Sequence, residues 1–346
     1  MCALLKKNSK NQRAKRLFDI LDQYFRSYSE KMYTGEIKPQ TLANGAFFGE
    51  ASIMYMYQVL YKITLDITYL SYAKKHFSIV REMFSVNPNQ EVLMGHAGTI
   101  LVLLNMYQLT GEKEYLDTAI KVGRLLKKSK LKCPVGVGWK FAHEDYPLTG
   151  FAHGNAGISL ALFKLWHYSG LDEFKILAQQ ALAYENSRYS KQLNNWLDDR
   201  GFNRDSGEKK LNPIAWCHGA AGILLSRMYV YDFVPEGLKT ELLNDMNKAA
   251  EAIFNAGILQ NNCLCHGNCG NFEILAYYVR KYCPDRVKEC ESYWNFIIGQ
   301  VLDKNWKCEL PTAYENASFM IGVSGIGYAI LRHMDNSLPE ILSVSL

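Results

Sequence analysis

Six segments of this 346-residue chain repeat one pattern, in which two glycines are separated by two residues, or by three in the first copy. The leading glycines are Gly45, Gly95, Gly154, Gly219, Gly267 and Gly322, at intervals of 48 to 65 residues. Each pattern opens an apolar run of about fifteen residues, and an amphipathic run follows it. The first run predicts a helix buried on every side, and the second predicts a helix with one face in solvent. The repeat therefore predicts a series of helical hairpins, each with an inner and an outer helix.

The repeat leaves two architectures to choose between. An open stack of hairpins would expose inner-helix surface at its ends and would need polar caps there. A closed ring buries every inner helix and brings the glycine turns to one end. We therefore predict an all-α fold, an α/α toroid whose glycine turns converge on one site, over residues 39–346. Short strands are expected only around residues 131–141 and 196–202, and residues 188–213 are expected to form a long exposed loop, placed like a lid.

Residues 1–38 form a separate N-terminal helical region in this interpretation. They are basic and amphipathic, and their apolar side chains at helical spacing are Leu17, Ile20, Leu21, Tyr24 and Phe25. One interpretation is a helix that packs on the domain and closes the fold. The other is an arm that binds a partner.

The net charge, the apolar segments and the cysteine content restrict the partners and the cellular location that we expect for this chain. The formal net charge of +5 does not call for nucleic acid as a partner, but it suits an acidic peptide. The first residues hold too short an apolar stretch for a signal peptide, and no segment approaches eighteen uninterrupted apolar residues, so we expect no membrane insertion and a cytoplasmic location. In that reducing compartment the nine cysteines are expected to bind metal or to be buried, rather than to form disulfides.

A candidate metal site stands on two of the glycine turns. Cys217 precedes Gly219, and Cys265 and His266 precede Gly267, so a toroid brings these three side chains to one rim. Two thiolates and an imidazole suit tetrahedral Zn²⁺, and three protein ligands leave a fourth position open, as in catalytic zinc sites. The alternative is that these cysteines are small buried hydrophobes, a common state of free cysteine.

Three motifs in the same order and repeat phase resemble those of a known family. They are Trp216-Cys-His-Gly-Ala-Ala-Gly-Ile, Leu264-Cys-His-Gly-Asn-Cys-Gly-Asn and Gly150-Phe-Ala-His-Gly-Asn-Ala-Gly-Ile. From about residue 41 onward, the chain resembles the lanthionine synthetase C-like (LanC) cyclases. The motifs are most similar to the C-terminal cyclase domain of the class II (LanM) lanthipeptide synthetases.

The resemblance implies a specific chemistry. It implies Zn²⁺ held by Cys217, Cys265 and His266, with a peptide cysteine thiol as the fourth ligand. The thiol would add to dehydroalanine or dehydrobutyrine and form the thioether ring of a lanthipeptide, an antimicrobial product. The substrate would be a dehydrated precursor peptide, and a separate dehydratase would be a candidate partner.

Histidines on the same turns are candidates for proton transfer. His153 occupies in its repeat the position that His218 and His266 occupy in theirs, and histidine suits acid–base work near neutral pH. We predict that His153 protonates the enolate formed by thiol addition, with helix capping or a core position as its alternative. His218, next to a ligand cysteine, is predicted to contact substrate or to support the metal site. His96 lies on the equivalent turn of the second repeat and is predicted to be structural.

The chain departs from the family pattern at two positions. Class I cyclases carry an arginine four residues before the first zinc cysteine, where this chain has Pro213, and an aspartate where this chain has Glu91. Three cations of the preceding loop could replace the arginine, namely Arg200, Arg204 and Lys210. Asp145 and Tyr146 either belong to a solvated loop or contact substrate. Cys263 could make a fourth zinc contact, which would close the site.

Other functions stay open at this point. A LanC-like enzyme could add glutathione or another small thiol, and a non-catalytic toroid could bind peptide or act as a scaffold. A metal-free toroid of the glycosidase kind needs paired carboxylates at the rim, and no glycine turn offers such a pair.

Overall fold

In the computed structural model, the described residues are 2–141, 144, 146–200, 212–308 and 316–346, and most of them are helical. The helices are α1 (Cys2–Lys7), α2 (Gln12–Tyr33), α3 (Glu50–Thr64), α4 (Thr68–Met83), α5 (His96–Thr110), α6 (Lys113–Ser129), α7 (Asn155–Ser169), α8 (Asp172–Ser187), α9 (Ala220–Tyr231), α10 (Glu236–Ala256), α11 (Asn268–Tyr282), α12 (Val287–Leu302) and α13 (Val323–Met334). No helix within the described ranges is long and apolar enough to cross a membrane.

The inner helices begin where the glycine repeat predicts. Helices α5, α7, α9, α11 and α13 each start at the residue after a leading glycine, and α3 starts after the second glycine of its longer turn. Helices α5, α9 and α11 are buried on all sides through most of their length, as their apolar sequences require. Helix α13 is buried at only three positions, and the C-terminal tail rather than an outer helix follows it.

The outer helices are amphipathic and pack on the inner helix that precedes them. The paired helices are α3 with α4, α5 with α6, α9 with α10 and α11 with α12. In α6, for example, Tyr115, Ala119, Val122 and Leu126 are buried, and lysines occupy the solvent side. The helical hairpin is thus confirmed as the repeating unit.

The second glycine of a turn is required by a close approach of the backbone. A Cβ atom on Gly222 would lie 2.1 Å from the carbonyl oxygen of Trp216, and one on Gly270 would lie 1.9 Å from that of Leu264. Each of these carbonyls belongs to the residue six positions earlier, so the turn folds back tightly on the helix start. Only glycine allows this geometry, which explains why the spacing recurs.

The chain divides into two compact units. The first consists of residues 1–129, 164–171 and 335–346, and the second of residues 130–163 and 172–334. In the first unit the C-terminal tail is part of the core: Leu342 and Val344 are buried, and Asn105 donates a 2.9 Å hydrogen bond to the carbonyl of Val344. The division predicted from sequence, residues 1–38 and 39–346, stays a prediction.

The N-terminal helices form as predicted, but a different face of α2 is buried. Helix α2 packs on α4, but its side chains Leu17, Ile20, Leu21 and Tyr24 are 42–62% exposed. Ala14, Ser29 and Met32 form the buried face of α2 instead. The exposed stripe lies next to that face on the helix, and periodicity alone does not distinguish the two.

Two short antiparallel hairpins interrupt the helices of the second unit. Strands β1 (Leu131–Lys132) and β2 (Val137–Gly138) lie in the first region where strands are expected. Strands β3 (Tyr189–Ser190) and β4 (Asn195–Trp196) form the start of the segment predicted to be a long loop. The middle of that loop, residues 201–211, lies outside the described residues.

Candidate metal centre

Cys217, Cys265 and His266 come together in the second unit. Cys217 lies on the turn before α9, and Cys265 and His266 lie on the turn before α11. One ligand atom from each of the three residues lies within 4.8 Å of the other two. Cys217 is buried, and the other two residues are partly accessible. Two sulfur atoms and one imidazole nitrogen can therefore bind a single metal ion at this position.

Backbone hydrogen bonds link the turns that carry the site. The N–H of Cys217 donates to the carbonyl of Cys265 over 3.3 Å, and the N–H of Cys265 donates to the carbonyl of Met320 over 2.9 Å. The turn that carries His153 is joined in the same way, because the N–H of Phe151 donates to the carbonyl of Trp216 over 3.2 Å. Adjacent repeats of this unit thus hold the ligands in register.

The side chains of the cluster shift one another's pKa values. A hydrogen bond with Cys265 holds the pKa of the Cys217 thiol well below its usual value, and His266, His218 and His153 add to this effect against the opposing effect of burial. Hydrogen bonds with Cys217 and then Cys263 raise the pKa of His266 to about 10. The lowered pKa of Cys217 favours the thiolate that binds a metal, whereas His266 has to release its proton to become a ligand.

Two further cysteines lie beside the cluster. Cys263 is fully buried and contacts His266, but it is not among the three residues whose ligand atoms converge. Burial raises the pKa of the Cys269 thiol well above its usual value, so this residue is a neutral core side chain. The arrangement favours three protein ligands over four.

His153 and His218 lie side by side next to Cys217. Their ring centroids are 5.4 Å apart, and Phe141 packs against His153 with a centroid distance of 4.4 Å. Burial lowers the pKa of His218 to about 4; the charge of Cys217 opposes this, and Arg200 and His153 reinforce it. His218 is therefore a neutral imidazole at physiological pH.

Of the three loop cations, Arg200 lies within the described residues, and its charge contributes to the low pKa of His218. The Nε of Arg200 lies 2.9 and 3.0 Å from the two carboxylate oxygens of Asp198, and its Nη2 lies 2.6 Å from Oδ2. Burial opposes the charge of Arg200, but Asp198, Cys217 and Glu144 raise its pKa. Arg204 and Lys210, the other two cations considered from sequence, lie outside the described residues.

Two other residues singled out from the sequence, His96 and Glu91, make hydrogen bonds that support a structural role. His96 is hydrogen-bonded at both ring nitrogens, to Gln90 over 2.9 Å and to the carbonyl of Phe84 over 2.8 Å, which supports a structural role. The carboxylate of Glu91 accepts from the N–H groups of Leu93 and Met94 and so stabilises its own turn. Tyr146 is exposed at the mouth of a cavity. Asp145 lies outside the described residues.

Sequence reasoning missed two residues that shape the site. Asn195 fastens strand β4 to the Cys217 turn, and Phe141 packs on His153. Neither lies on a glycine turn or within the three motifs, so no local signal points to them. The contacts of Asn195 span 17 to 25 residues and that of Phe141 with His153 spans 12, so neither follows from helical or strand spacing.

The comparisons with known proteins agree with this geometry. A family model described as lanthionine synthetase C-like protein matches residues 1–346, the whole chain. The chain belongs to the lanthionine synthetase C-like family. The resemblance to this family, predicted from about residue 41 onward, is thus confirmed, and the match also includes the residues before it.

Individual relatives of this LanC-like chain are distant. The lacticin 481/lactococcin biosynthesis protein LcnDR2 of Lactococcus lactis subsp. lactis is 24% identical over 329 residues, which cover 91% of this chain and 33% of that protein. The chain thus spans about a third of the length of this curated relative.

Solved structures show the fold. Nisin cyclase matches with a TM-score of 0.73 and 18% identity, over 99% of this chain and 88% of its own. Polysaccharide lyase BACCELL_00875 matches with a TM-score of 0.55 and 13% identity, over 87% of this chain and 90% of its own. The likeness to nisin cyclase confirms the predicted fold class, an all-α α/α toroid.

Proposed function

We propose that this chain is a zinc-dependent cyclase that adds peptide cysteine thiols to dehydroalanine or dehydrobutyrine, which forms the thioether rings of a lanthipeptide. The convergence of Cys217, Cys265 and His266 is the observation that carries the proposal. Membership of the LanC-like family and the likeness to nisin cyclase support it. The substrate would be a dehydrated precursor peptide, and a separate dehydratase would supply it.

The metal proposed for the site is Zn²⁺. Its ligands would be Cys217, Cys265 and His266, a donor set of two thiolates and one imidazole that fits this ion. Bound there, Zn²⁺ would lower the pKa of an incoming cysteine thiol, so that the sulfur is a nucleophile at neutral pH. The turns provide the rest of the preorganisation, because backbone hydrogen bonds already hold the ligands together.

The two histidines beside Cys217 would carry out different proton-transfer steps. His218 is neutral at physiological pH, so it can accept a hydrogen bond or a proton from the substrate thiol. His153 lies next to it, half-buried, and would deliver a proton to the α-carbon after sulfur has added to the β-carbon. Phe141 would hold the His153 ring in place by packing against it.

Metal analysis and a thiol assay test this function together. We expect one equivalent of zinc in the native protein and none in Cys217→Ala, with both proteins folded. A dehydrated, cysteine-containing peptide should lose its free thiol without a change of mass, because cyclisation is an isomerisation.

The outcomes of this assay distinguish the alternatives. Persistence of the peptide thiol with zinc bound would contradict the cyclase proposal and favour a peptide-binding scaffold. Addition of glutathione to the peptide, with an unchanged peptide thiol, would favour an enzyme that uses a small thiol. A native protein without zinc would remove the basis of the metal assignment.

A further inference from the structure

The proposed reaction moves negative charge onto the substrate. When the thiolate adds to the dehydro residue, a C–S bond forms at the β-carbon and the electron pair of the C=C bond shifts toward the carbonyl. The charge of the sulfur therefore becomes the charge of an enolate oxygen, until a proton arrives at the α-carbon. The proton lost by the thiol balances the proton gained by carbon. A donor positioned at that oxygen would stabilise the transition state more than the ground state.

Strand β4 is fastened to both sides of the Cys217 turn. The Nδ2 group of Asn195 donates to the carbonyls of Asn212 over 3.1 Å and Pro213 over 3.2 Å. Its Oδ1 atom accepts from the N–H of Ala220, at the start of α9, over 3.0 Å. Asn195 is 1% exposed, so these bonds are shielded from water. The residues that follow β4 are thereby held beside the turn that carries Cys217.

Asp198 continues this attachment and orients Arg200. The N–H of Asp198 donates to Oδ1 of Asn212 over 3.2 Å, and Asp198 is only 6% exposed. One edge of the Arg200 guanidinium, formed by Nε and Nη2, contacts its carboxylate at 2.6–3.0 Å. A bidentate pair of this kind fixes both the position and the plane of the guanidinium.

The charge of Arg200 reaches the candidate metal centre. The segment that Asn195 and Asp198 hold at this turn carries Arg200, and its charge contributes to lowering the pKa of His218, the residue after Cys217. The side chain of Arg200 is 27% exposed, so a substrate can approach it from solvent.

We propose that Arg200 binds the carbonyl oxygen of the dehydro residue and stabilises the enolate, with Asp198 as the residue that positions it. This inference rests on the proposed cyclase function. It also selects one of the three loop cations that the sequence leaves open. The position of Pro213 is consistent with it, because the Pro213 carbonyl is one of the two points at which Asn195 holds the arginine-bearing segment.

The chain provides a matched control in the neighbouring ion pair. Arg188 pairs with Asp199 at 2.7 and 2.6 Å, the same bidentate geometry one residue along from the Asp198 pair. That pair lines a separate cavity of about 310 Å³, together with Cys133 and Pro147. A variant of Arg188 removes an ion pair of the same type and leaves the contact proposed between Arg200 and the substrate carbonyl oxygen unchanged.

The experiment compares R200Q, R200K and D198N with R188Q and the wild-type protein. We expect R200Q to keep its zinc and its affinity for a saturated peptide analogue, in which alanine replaces dehydroalanine. Its kcat should fall by about 10²–10³-fold, because the contact of Arg200 with the substrate oxygen strengthens as negative charge develops there in the transition state. R200K should recover part of this loss, since it restores charge without the planar fork. The kcat of D198N should lie between those of R200Q and wild type, and the kcat of R188Q should equal that of wild type.

Exchange of the product's α-hydrogen in D₂O gives a second readout, because exchange passes through the same enolate. We expect R200Q to slow this exchange by a similar factor. A wild-type kcat in R200Q would overturn the inference. Loss of zinc or of analogue binding in proportion to the loss of kcat would overturn it as well, since Arg200 would then be structural. Failure of the wild-type protein to cyclise any peptide would instead overturn the proposed function.

Discussion

The backbone N–H of Cys217 donates a hydrogen bond to the backbone carbonyl of Cys265, so two of the three candidate metal ligands belong to directly bonded turns. The two cysteines stand 48 residues apart in sequence, and the repeat brings them together. The ligand geometry is therefore set by the fold, through hydrogen bonds between the turns. Such preorganisation reduces the conformational cost of binding a metal.

Metal removal should lower the stability of the protein without unfolding it. A ligand that binds only the folded state stabilises it by about 2.7 kcal/mol at a free concentration of 100 times its Kd. We expect added zinc to raise Tm and a chelator to reverse the increase. Cys217→Ser should show no response to either, and Cys133→Ser, which lies outside the cluster, should respond like wild type. Equal responses in Cys217→Ser and wild type would place the metal elsewhere.

Gly150 is expected to be intolerant of a side chain. Its φ is +98°, and a Cβ atom would lie 2.6 Å from both the carbonyl oxygen of Cys217 and the Cα of His218. Gly150→Ala should therefore lower the free energy of unfolding by about 3 kcal/mol or more, since it adds a backbone clash to conformational strain.

Gly170 provides the control for that prediction. Its φ is +69°, but a Cβ atom there would meet no other atom within 4 Å, so Gly170→Ala carries the strain alone, about 1 kcal/mol. Urea unfolding of both variants measures the difference. Similar losses of unfolding free energy in Gly150→Ala and Gly170→Ala would show that the turns of His153 and Cys217 are not in tight contact.

The sequence predicts those parts of the site that recur with the repeat. The starts of the inner helices follow from the glycines, and Cys217, Cys265 and His266 follow because they hold equivalent places on two turns. Asn195 and Phe141 could not be predicted, because their contacts depend on how separate segments pack, which no local period encodes. The exposed stripe of α2 shows the same limit: Leu17 has helical spacing, but spacing does not decide which face meets the domain.

A buried polar cluster in the first unit has the geometry of a hydrolase triad. Ser29 Oγ lies 2.8 Å from His76 Nε2, and His76 Nδ1 lies 2.6 Å from a carboxylate oxygen of Glu50. All three residues are 3% exposed or less, so substrates have no access to the serine. We therefore expect a structural cluster that fixes α2 to α3 and α4, and no labelling by a fluorophosphonate probe.

The same cluster predicts a large loss of stability on substitution. His76→Ala leaves the Glu50 carboxylate buried without its histidine partner, which typically costs about 3–5 kcal/mol. His167→Ala, at an exposed histidine of α7, should change the free energy of unfolding by less than about 1 kcal/mol. Denaturant unfolding separates these values. Rapid labelling of Ser29 by the probe in the folded protein would contradict the structural assignment.

Lys164 should make the stability of the protein depend on pH in the alkaline range. Burial lowers its pKa from 10.5 to about 8, and the charge of Glu340 opposes the effect. Its ammonium donates a 2.5 Å hydrogen bond to the hydroxyl of Ser345 in the C-terminal tail. Between pH 8 and 10.5 the unfolded lysine keeps a proton that the folded one has lost, so a rise in pH favours the folded state.

The free energy of unfolding should rise by at most about 1.4 kcal/mol per pH unit across that window. This dependence on pH disappears below pH 8 and above pH 10.5. Lys164→Met removes the titrating group and keeps a side chain of similar length, so the difference in unfolding free energy between wild type and variant isolates the effect. That difference should move in favour of wild type as the pH rises from 8 to 10.5. A difference that stays constant with pH would show that Lys164 keeps its proton in the folded protein, because water reaches its ammonium group.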